Sequence, residues 1–366
     1  MHLKSIKLLH FKNYEEMSFD FSPQINCLVG KNGVGKTNLL DAIHYLCLTR
    51  SAFNTIEQQN ILHGEDFFMI QGMMEKREKT ADVMCSYQQE KKKKSFKVNK
   101  ADYERFSEHI GVYPIVLVAP TDIDLVREGS EIRRKFIDSV ISQTDKAYLN
   151  LLLQYSRHLK QRNALLKQFG ERNYFDADLL SPYDDAIIDL SQKIGKVRDT
   201  VIQQLIPIFQ KYYTLLTNGQ ESVALTYKTK VLNEDFPSFF REFQGKELIL
   251  QRTMQGIHKD DYAYTIEGYP LKKFGSQGQQ KSFIVALKLA QFEFMQLQVN
   301  TRPILLLDDI FDKLDDNRIH KLLDLLSQQQ FGQVFITDAR PERSKKLLEN
   351  LPIEVQIHQI EKKLKI

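Results

Sequence analysis

Gly30-Lys31-Asn32-Gly33-Val34-Gly35-Lys36-Thr37 fits the G-x-x-x-x-G-K-[ST] phosphate-loop pattern in full. The flanks match it. Ile25, Asn26, Cys27, Leu28 and Val29 form a short apolar run that reads as a buried strand, and residues 38–43 carry apolar side chains at helical spacing. Strand, glycine-rich loop and helix together predict a cradle for ATP. Gly30, Gly33 and Gly35 let successive N–H groups turn toward phosphate oxygens, beside the positive end of the helix dipole. In that reading Lys36 reaches the β- and γ-phosphates and the Thr37 hydroxyl holds Mg²⁺.

A chain of 366 residues allows about two or three domains. With 42% hydrophobic and 27% charged residues it is ordinarily globular, and a net charge of +4 means that any nucleic-acid partner is met by a local patch, not by a global field. Cys27, Cys47 and Cys85 are widely spaced and form no C-x-x-C, which argues against a zinc site or a disulfide framework. The N-terminus has no signal-peptide layout and no apolar run reaches membrane length. The expectation is a soluble, cytoplasmic protein.

The first thirty residues read as two antiparallel strands leading into the loop strand, and residues 67–74 and 81–89 as further strands. Residues 46–55 read as a polar connector. Residues 90–100, EKKKKSFKVNK, are either a lysine-protected hairpin edge or a contact to phosphate backbone. Arg133 and Arg134 fall on the polar face of a helix, free to pair with Asp138 and Glu131 or to face nucleotide or DNA. From residue 141 a seven-residue rhythm sets in through Tyr148, Leu152, Tyr155, Leu159 and Leu166, with Arg162 filling the gap, and it resumes from Ile187 to Tyr212. Two long helices are expected, turning near Gly170 and Asn173, the second starting at Ser181-Pro182-Tyr183-Asp184.

Residues 274–282, FGSQGQQKS, are a polar, glycine-punctuated stretch feeding a helix, a second potential phosphate-binding end. Farther on, Pro303-Ile304-Leu305-Leu306-Leu307-Asp308-Asp309 reads as a buried parallel strand that delivers two carboxylates to the carboxyl edge of a sheet. Asp308 is the candidate Mg²⁺ holder and Asp309 the group placed to polarise an attacking water, so Lys36, Asp308 and Asp309 are the candidate catalytic residues. A last apolar strand ends in Thr337 and Asp338, where it could sense the γ-phosphate.

A phosphate loop near residue 30, a helical insertion, then SQGQQ and LLLDD far downstream resemble the ABC-type ATPase heads of SMC-like DNA-repair proteins, and within that group the RecF family most. The residues that carry the resemblance are 11–53, 119–138, LKQRNALLK at 159–167, GIHKDDYAYTIEG at 256–268, FGSQGQQKS and LLLDDIFDKLD at 305–315. Departures are slight: that family tends to have Pro where Ile257 and Glu131 stand, Phe or Ser near Ala119, and Arg where Lys259 and Lys281 stand. The resemblance implies an α/β fold, an ABC-type P-loop ATPase head with a mixed sheet and flanking helices, interrupted by a helical arm. Its expected divisions are 1–140 and 255–366 for the head and 141–254 for the arm.

By the same resemblance Ser276, Gly278 and Gln279 would meet the γ-phosphate of a nucleotide held by a second subunit, with Asp315 beside it. It further implies an ATP-induced homodimer with slow, DNA-stimulated hydrolysis that binds gapped or junction DNA, works with RecR, and assists the RecA recombinase in repair and SOS induction. Lys12, Lys91, Lys92, Lys93, Lys94, Lys97, Arg133 and Arg134 are the basic candidates for DNA contact. A transporter subunit is opposed by SQGQQ, by the short arm and by the lack of a histidine at Thr337-Asp338. A long structural tether is opposed by an arm whose limbs reach only about 50 Å. A nuclease of the OLD type would need a further acidic domain.

Overall fold

In the computed structural model, which describes residues 1–312, 315–328, 330–349 and 351–361, the alternation of the opening residues becomes β1 (His2–Phe11) and β2 (Tyr14–Asp20). Leu3, Ile6, Leu8 and Phe11 turn inward, as a strand with one buried face requires. β1 also pairs with β4 (Phe67–Lys76), which continues antiparallel through β5 (Lys79–Gln88), β6 (Lys93–Val98) and the two-residue β7 (Ala101–Asp102), in the order β2-β1-β4-β5-β6-β7. Antiparallel and parallel strands thus lie in separate sheets, the second of them wholly parallel.

That second sheet contains β3 (Ile25–Val29) and β8 (Ile115–Val118), with β12 (Ile304–Leu307), β13 (Val334–Asp338) and β14 (Val355–Gln359). Its order is β14-β3-β13-β12-β8. All residues of β3, β12 and β13 are buried, the continuous apolar pattern of strands covered on both faces. The helix Lys36–Leu48 contacts strands of both sheets and is buried nearly all round, which is why its apolar residues are not confined to one stripe. Residues 46–48 belong to this helix, not to a connector, because Leu46 and Cys47 are needed in the core; Thr49 ends it in a left-handed conformation, φ 59°. The buried amide of Gln333 joins the sheets. It bonds Leu3 N (2.7 Å), Leu3 O (2.8 Å) and Ser22 O (2.8 Å). The three cysteines are free and buried, and burial pushes the Cys27 and Cys85 thiols up to about 12.

These elements lie in one compact unit, residues 1–123, 212–220 and 277–366; residues 124–211 and 221–276 form a second. The division differs from 1–140, 141–254 and 255–366 because the helix Ser130–Thr144 is tied to the second unit by its own side chains. Arg133 forms a two-bonded pair with Asp261 (2.8 and 3.1 Å), and Arg134 bonds Ser130 Oγ and Asp260 O (both 2.7 Å). Neither arginine uses Asp138 or Glu131: Asp138 pairs with Arg198, and Glu131 with Lys135.

The second unit holds the helix Lys146–Arg172, the helix Ala177–Thr217 up to Lys211, and a small antiparallel sheet in which β10 (Asp261–Ile266) lies between β9 (Val223–Lys228) and β11 (Tyr269–Pro270). The second long helix begins at Ala177, earlier than the Ser181-Pro182 signal, because Asp176 bonds Leu179 N (3.1 Å) and Pro182 is tolerated near the helix start. Two arginines, not aliphatic residues alone, organise this core. Arg162 bonds Asp184 (2.6 Å), Glu247 (2.7 Å) and Thr253 (2.9 Å). Arg198, 1% exposed, bonds Asp138 (2.9 Å) and Asp260 (2.9 Å) and the carbonyl of Ile257 (3.0 Å).

Two consequences are measurable. Arg198→Ala strands the buried carboxylate of Asp260 and the half-buried one of Asp138, and unfolding in urea should show the second unit destabilised by about 3–5 kcal/mol; Arg198→Met should lose less if packing alone mattered. His258 donates from Nε2 to Thr253 O (3.1 Å), which leaves Nδ1 to accept from Tyr155 OH (2.6 Å). Burial lowers its pKa to about 4. The unfolded chain, with histidine near 6.5, therefore binds the extra proton first, and stability present above pH 6.5 is lost as pH falls toward 4. His258→Gln should remove about 2 kcal/mol of the loss between pH 7 and 5, seen as a flatter profile of urea midpoints.

Candidate nucleotide and metal site

The strand order decides the site. β13 lies between β3 and β12, so the ends of three parallel strands deliver the phosphate loop, Thr337 and Asp308 to one edge of the sheet, where ligands bind in such folds. Gly33 and Gly35 take φ of 80° and 116°, conformations open to glycine. At Gly35 there is also no room: a Cβ would lie 2.6 Å from Asn13 Nδ2 and 3.0 Å from Tyr14 OH. Those two side chains hold the loop from outside, Asn13 donating to Val34 O (2.9 Å) and Tyr14 to Gly35 O (3.0 Å). Asn38 completes the clamp by donating to Asn13 Oδ1 (2.7 Å). Lys36 donates to the loop carbonyls of Gly30 (2.8 Å) and Lys31 (3.0 Å), so its buried ammonium lies inside the curl.

Thr37 Oγ1 donates toward both carboxylate oxygens of Asp308 (3.0 and 3.1 Å). Thr337 Oγ1 donates to Asp308 Oδ1 (2.7 Å) and accepts from the backbone N–H of Asp309 (2.9 Å). Burial raises the Asp308 pKa, and the Thr337 and Thr37 hydroxyls oppose that rise. Asp309 sits at φ 47°, a left-handed conformation that costs a non-glycine residue on the order of 1–3 kcal/mol and is held here by the Thr337 bond. The end of β13, read in sequence as a γ-phosphate sensor, thus fixes the acidic pair. Asp338 has a different set of partners, accepting from Ser344 Oγ (2.5 Å) and Arg340 N (3.2 Å).

Ser276 is exposed and directly precedes the helix Gln277–Val299; Gly278 and Gln279 lie in its first turn, and Ser282 Oγ bonds Gly278 O (2.9 Å). Ser276 falls in the second unit and the other two in the first. Asp315 caps the helix Asp316–Ser327 by accepting from Arg318 N (2.9 Å), while Lys313 and Leu314 of the same stretch lie outside the described residues.

Several basic candidates are spent on internal partners. Lys12 pairs with the fully buried Asp41 (2.6 Å), which also binds Ser51 Oγ and Ala52 N (both 2.6 Å). Lys94 bonds Thr49 O and Glu57 (2.7 Å) and lies 4.6 Å above the Tyr45 ring; Lys97 pairs with Asp102 (3.5 Å). Lys91, Lys92 and Lys93 remain exposed at the β5–β6 turn. Sequence reasoning missed Asn13, Tyr14 and Asp41, whose polar types beside a turn or on a helix carry no site pattern. The available signal was that Asp41 stands among apolar residues on a buried helix.

Thr337→Val keeps shape but leaves Asp309 N without its acceptor and Asp308 with one hydroxyl fewer. The expected loss is about 1–3 kcal/mol in urea unfolding, with Thr337→Ser close to wild type.

The chain matches the family model described as RecF/RecN/SMC N terminal domain over residues 2–362. It is 47% identical over 350 residues to the DNA replication and repair protein RecF of Flavobacterium johnsoniae, covering 96% of this chain and 97% of that protein. The RecF of Phocaeicola vulgatus is 41% identical over 363 residues, covering 99% and 97%. A solved structure described as the recombination mediator protein RecF-ATP in the RecFOR pathway superposes with a TM-score of 0.85 at 30% identity, covering 92% of each chain. With a full-length family match and relatives at this identity, the chain belongs to the RecF/RecN/SMC family of ABC-type ATPase heads, on its RecF branch.

Proposed function

We propose that this protein is an ATP-gated DNA-binding dimer of recombinational repair. The observation that carries the reading is Thr37 Oγ1 meeting both oxygens of Asp308 at the mouth of the phosphate loop (3.0 and 3.1 Å). A hydroxyl and a carboxylate in contact make a hard-oxygen pair that fits Mg²⁺, an ion that keeps most of its shell as water and nucleotide phosphate. When bound, Mg²⁺ would neutralise charge on the phosphate oxygens. Thr37 and Asp308 would hold it. The loop N–H groups from Gly30 to Thr37 bind the phosphates, and Lys36 exchanges its carbonyl partners for β- and γ-phosphate oxygens. Asp309, fixed by Thr337, orients the attacking water and takes its proton.

Ser276, Gly278 and Gln279 contact the γ-phosphate held by the partner subunit, so the dimer persists while that phosphate remains, and hydrolysis is a slow, DNA-stimulated timer. The first unit serves as the head and the second as the arm. In its closed form the dimer engages gapped or junction DNA at the nucleoid, works with a RecR-type mediator, and helps place RecA on single strands, with SOS induction downstream. The RecFOR description of the solved relative supports the RecR-type partner.

Light scattering of wild type and Lys36→Met, with and without ATP and with gapped duplex DNA, tests the gate. ATP should double the wild-type mass and tighten DNA binding at least tenfold, about 1.4 kcal/mol, while Lys36→Met stays monomeric. A mass and DNA affinity indifferent to ATP would overturn the reading.

A further inference from the structure

In the second unit a cavity of about 560 Å³ opens between the end of β9 and the loop that leads into β10. Lys228, Lys230 and Lys259 line it, together with Tyr227, Gly256 and Asp260. The loop is built to one shape. Gly256 takes φ 125°, and a Cβ there would lie 2.4 Å from Tyr155 OH. Asp260 accepts from Tyr227 OH (2.5 Å), Thr229 Oγ1 (2.6 Å) and Arg198 (2.9 Å), while its own carbonyl accepts from Arg134 (2.7 Å). Asp261, also on the lining, is paired with Arg133. Both carboxylates of the cavity are therefore neutralised from within.

The lysines are not. Lys228, Lys230 and Lys259 are exposed, and among the described residues none of them forms an ion pair; Lys230 instead lies 4.5 Å over the Phe239 ring. The partial desolvation of its ammonium, and then the charges of Arg252 and Arg134, lower the Lys259 pKa. Lys259 on the loop and Lys228 and Lys230 at the end of β9 thus bring three ammonium groups to the lining of one cavity, which suits an anion.

We propose that this cavity is a phosphodiester-binding seat, in which Lys228, Lys230 and Lys259 contact consecutive phosphates of a DNA strand. The inference rests on the DNA-binding reading above and gives it a surface. Lysines are compact point charges that accept a phosphate from many angles, which suits a backbone met without regard to sequence.

The test measures affinity for fluorescent gapped duplex with ATP present, across roughly 50–200 mM salt, where each phosphate contact contributes about 0.9 to the log–log slope. Lys228→Gln/Lys230→Gln/Lys259→Gln should lower the slope by about 2–3 while its melting temperature and ATP-dependent mass match wild type. Lys259→Arg should keep the slope. An unchanged slope and affinity in the triple variant would refute the seat and leave DNA binding intact. A wild type that binds no DNA would sink both. If inorganic pyrophosphate raises the melting temperature of wild type but not of the triple variant, and the DNA slope is the same in both, the cavity takes small anions and the DNA assignment is wrong.

Discussion

One carboxylate holds the candidate site together. Asp308 receives Thr37 from the loop helix and Thr337 from the neighbouring strand, and through Thr337 it fixes the backbone of Asp309. A buried carboxylate is tolerable only with such donors, since an unsatisfied charge in a low-dielectric interior costs several kcal/mol. Satisfying it therefore locks three strand ends in register. In the proposed function the same carboxylate, with Thr37, would hold the cation.

The surroundings repeat this principle of satisfied burial. The phosphate loop is held from outside by Asn13 and Tyr14, which occupy the space that a side chain at Gly35 would need. Gln333 makes three bonds that tie the antiparallel sheet to the parallel one. Asp41 does the same for the connector after the loop helix, joining Lys12, Ser51 and Ala52. In the second unit Arg162 and Arg198 each gather acids from distant parts of the chain. Removing one partner from such a network is costly, because it leaves a buried charge without compensation.

Legibility in the sequence tracks locality. The phosphate loop, its strand and its helix are contiguous, so their pattern is complete within twenty residues, and the apolar run before Asp308 announces a buried strand by itself. The long helices are visible as a seven-residue rhythm, yet their buried arginines are not. Arg162 stands only as a gap in the stripe and Arg198 carries no signal, because an arginine becomes a core residue only when its acids are brought to it. Arg133, Lys12 and Lys94 show the reverse, with partners that the sequence left open. Cations that look exposed in sequence are absorbed by partners such as Asp261, Asp41 and Glu57, far along the chain or across the sheet.

The sequence by itself determined the chemistry available: a glycine loop that can curl around phosphate, a lysine and a threonine at its end, and a strand that must end in acids. Those follow from backbone freedom and hydrophobic patterning, which are local. Only the tertiary structure decided that β13 lies between β3 and β12, and hence that Thr337 meets Asp308 and Asp309. Strand order depends on which buried faces and polar groups can be satisfied together, and that is a property of the whole packed sheet.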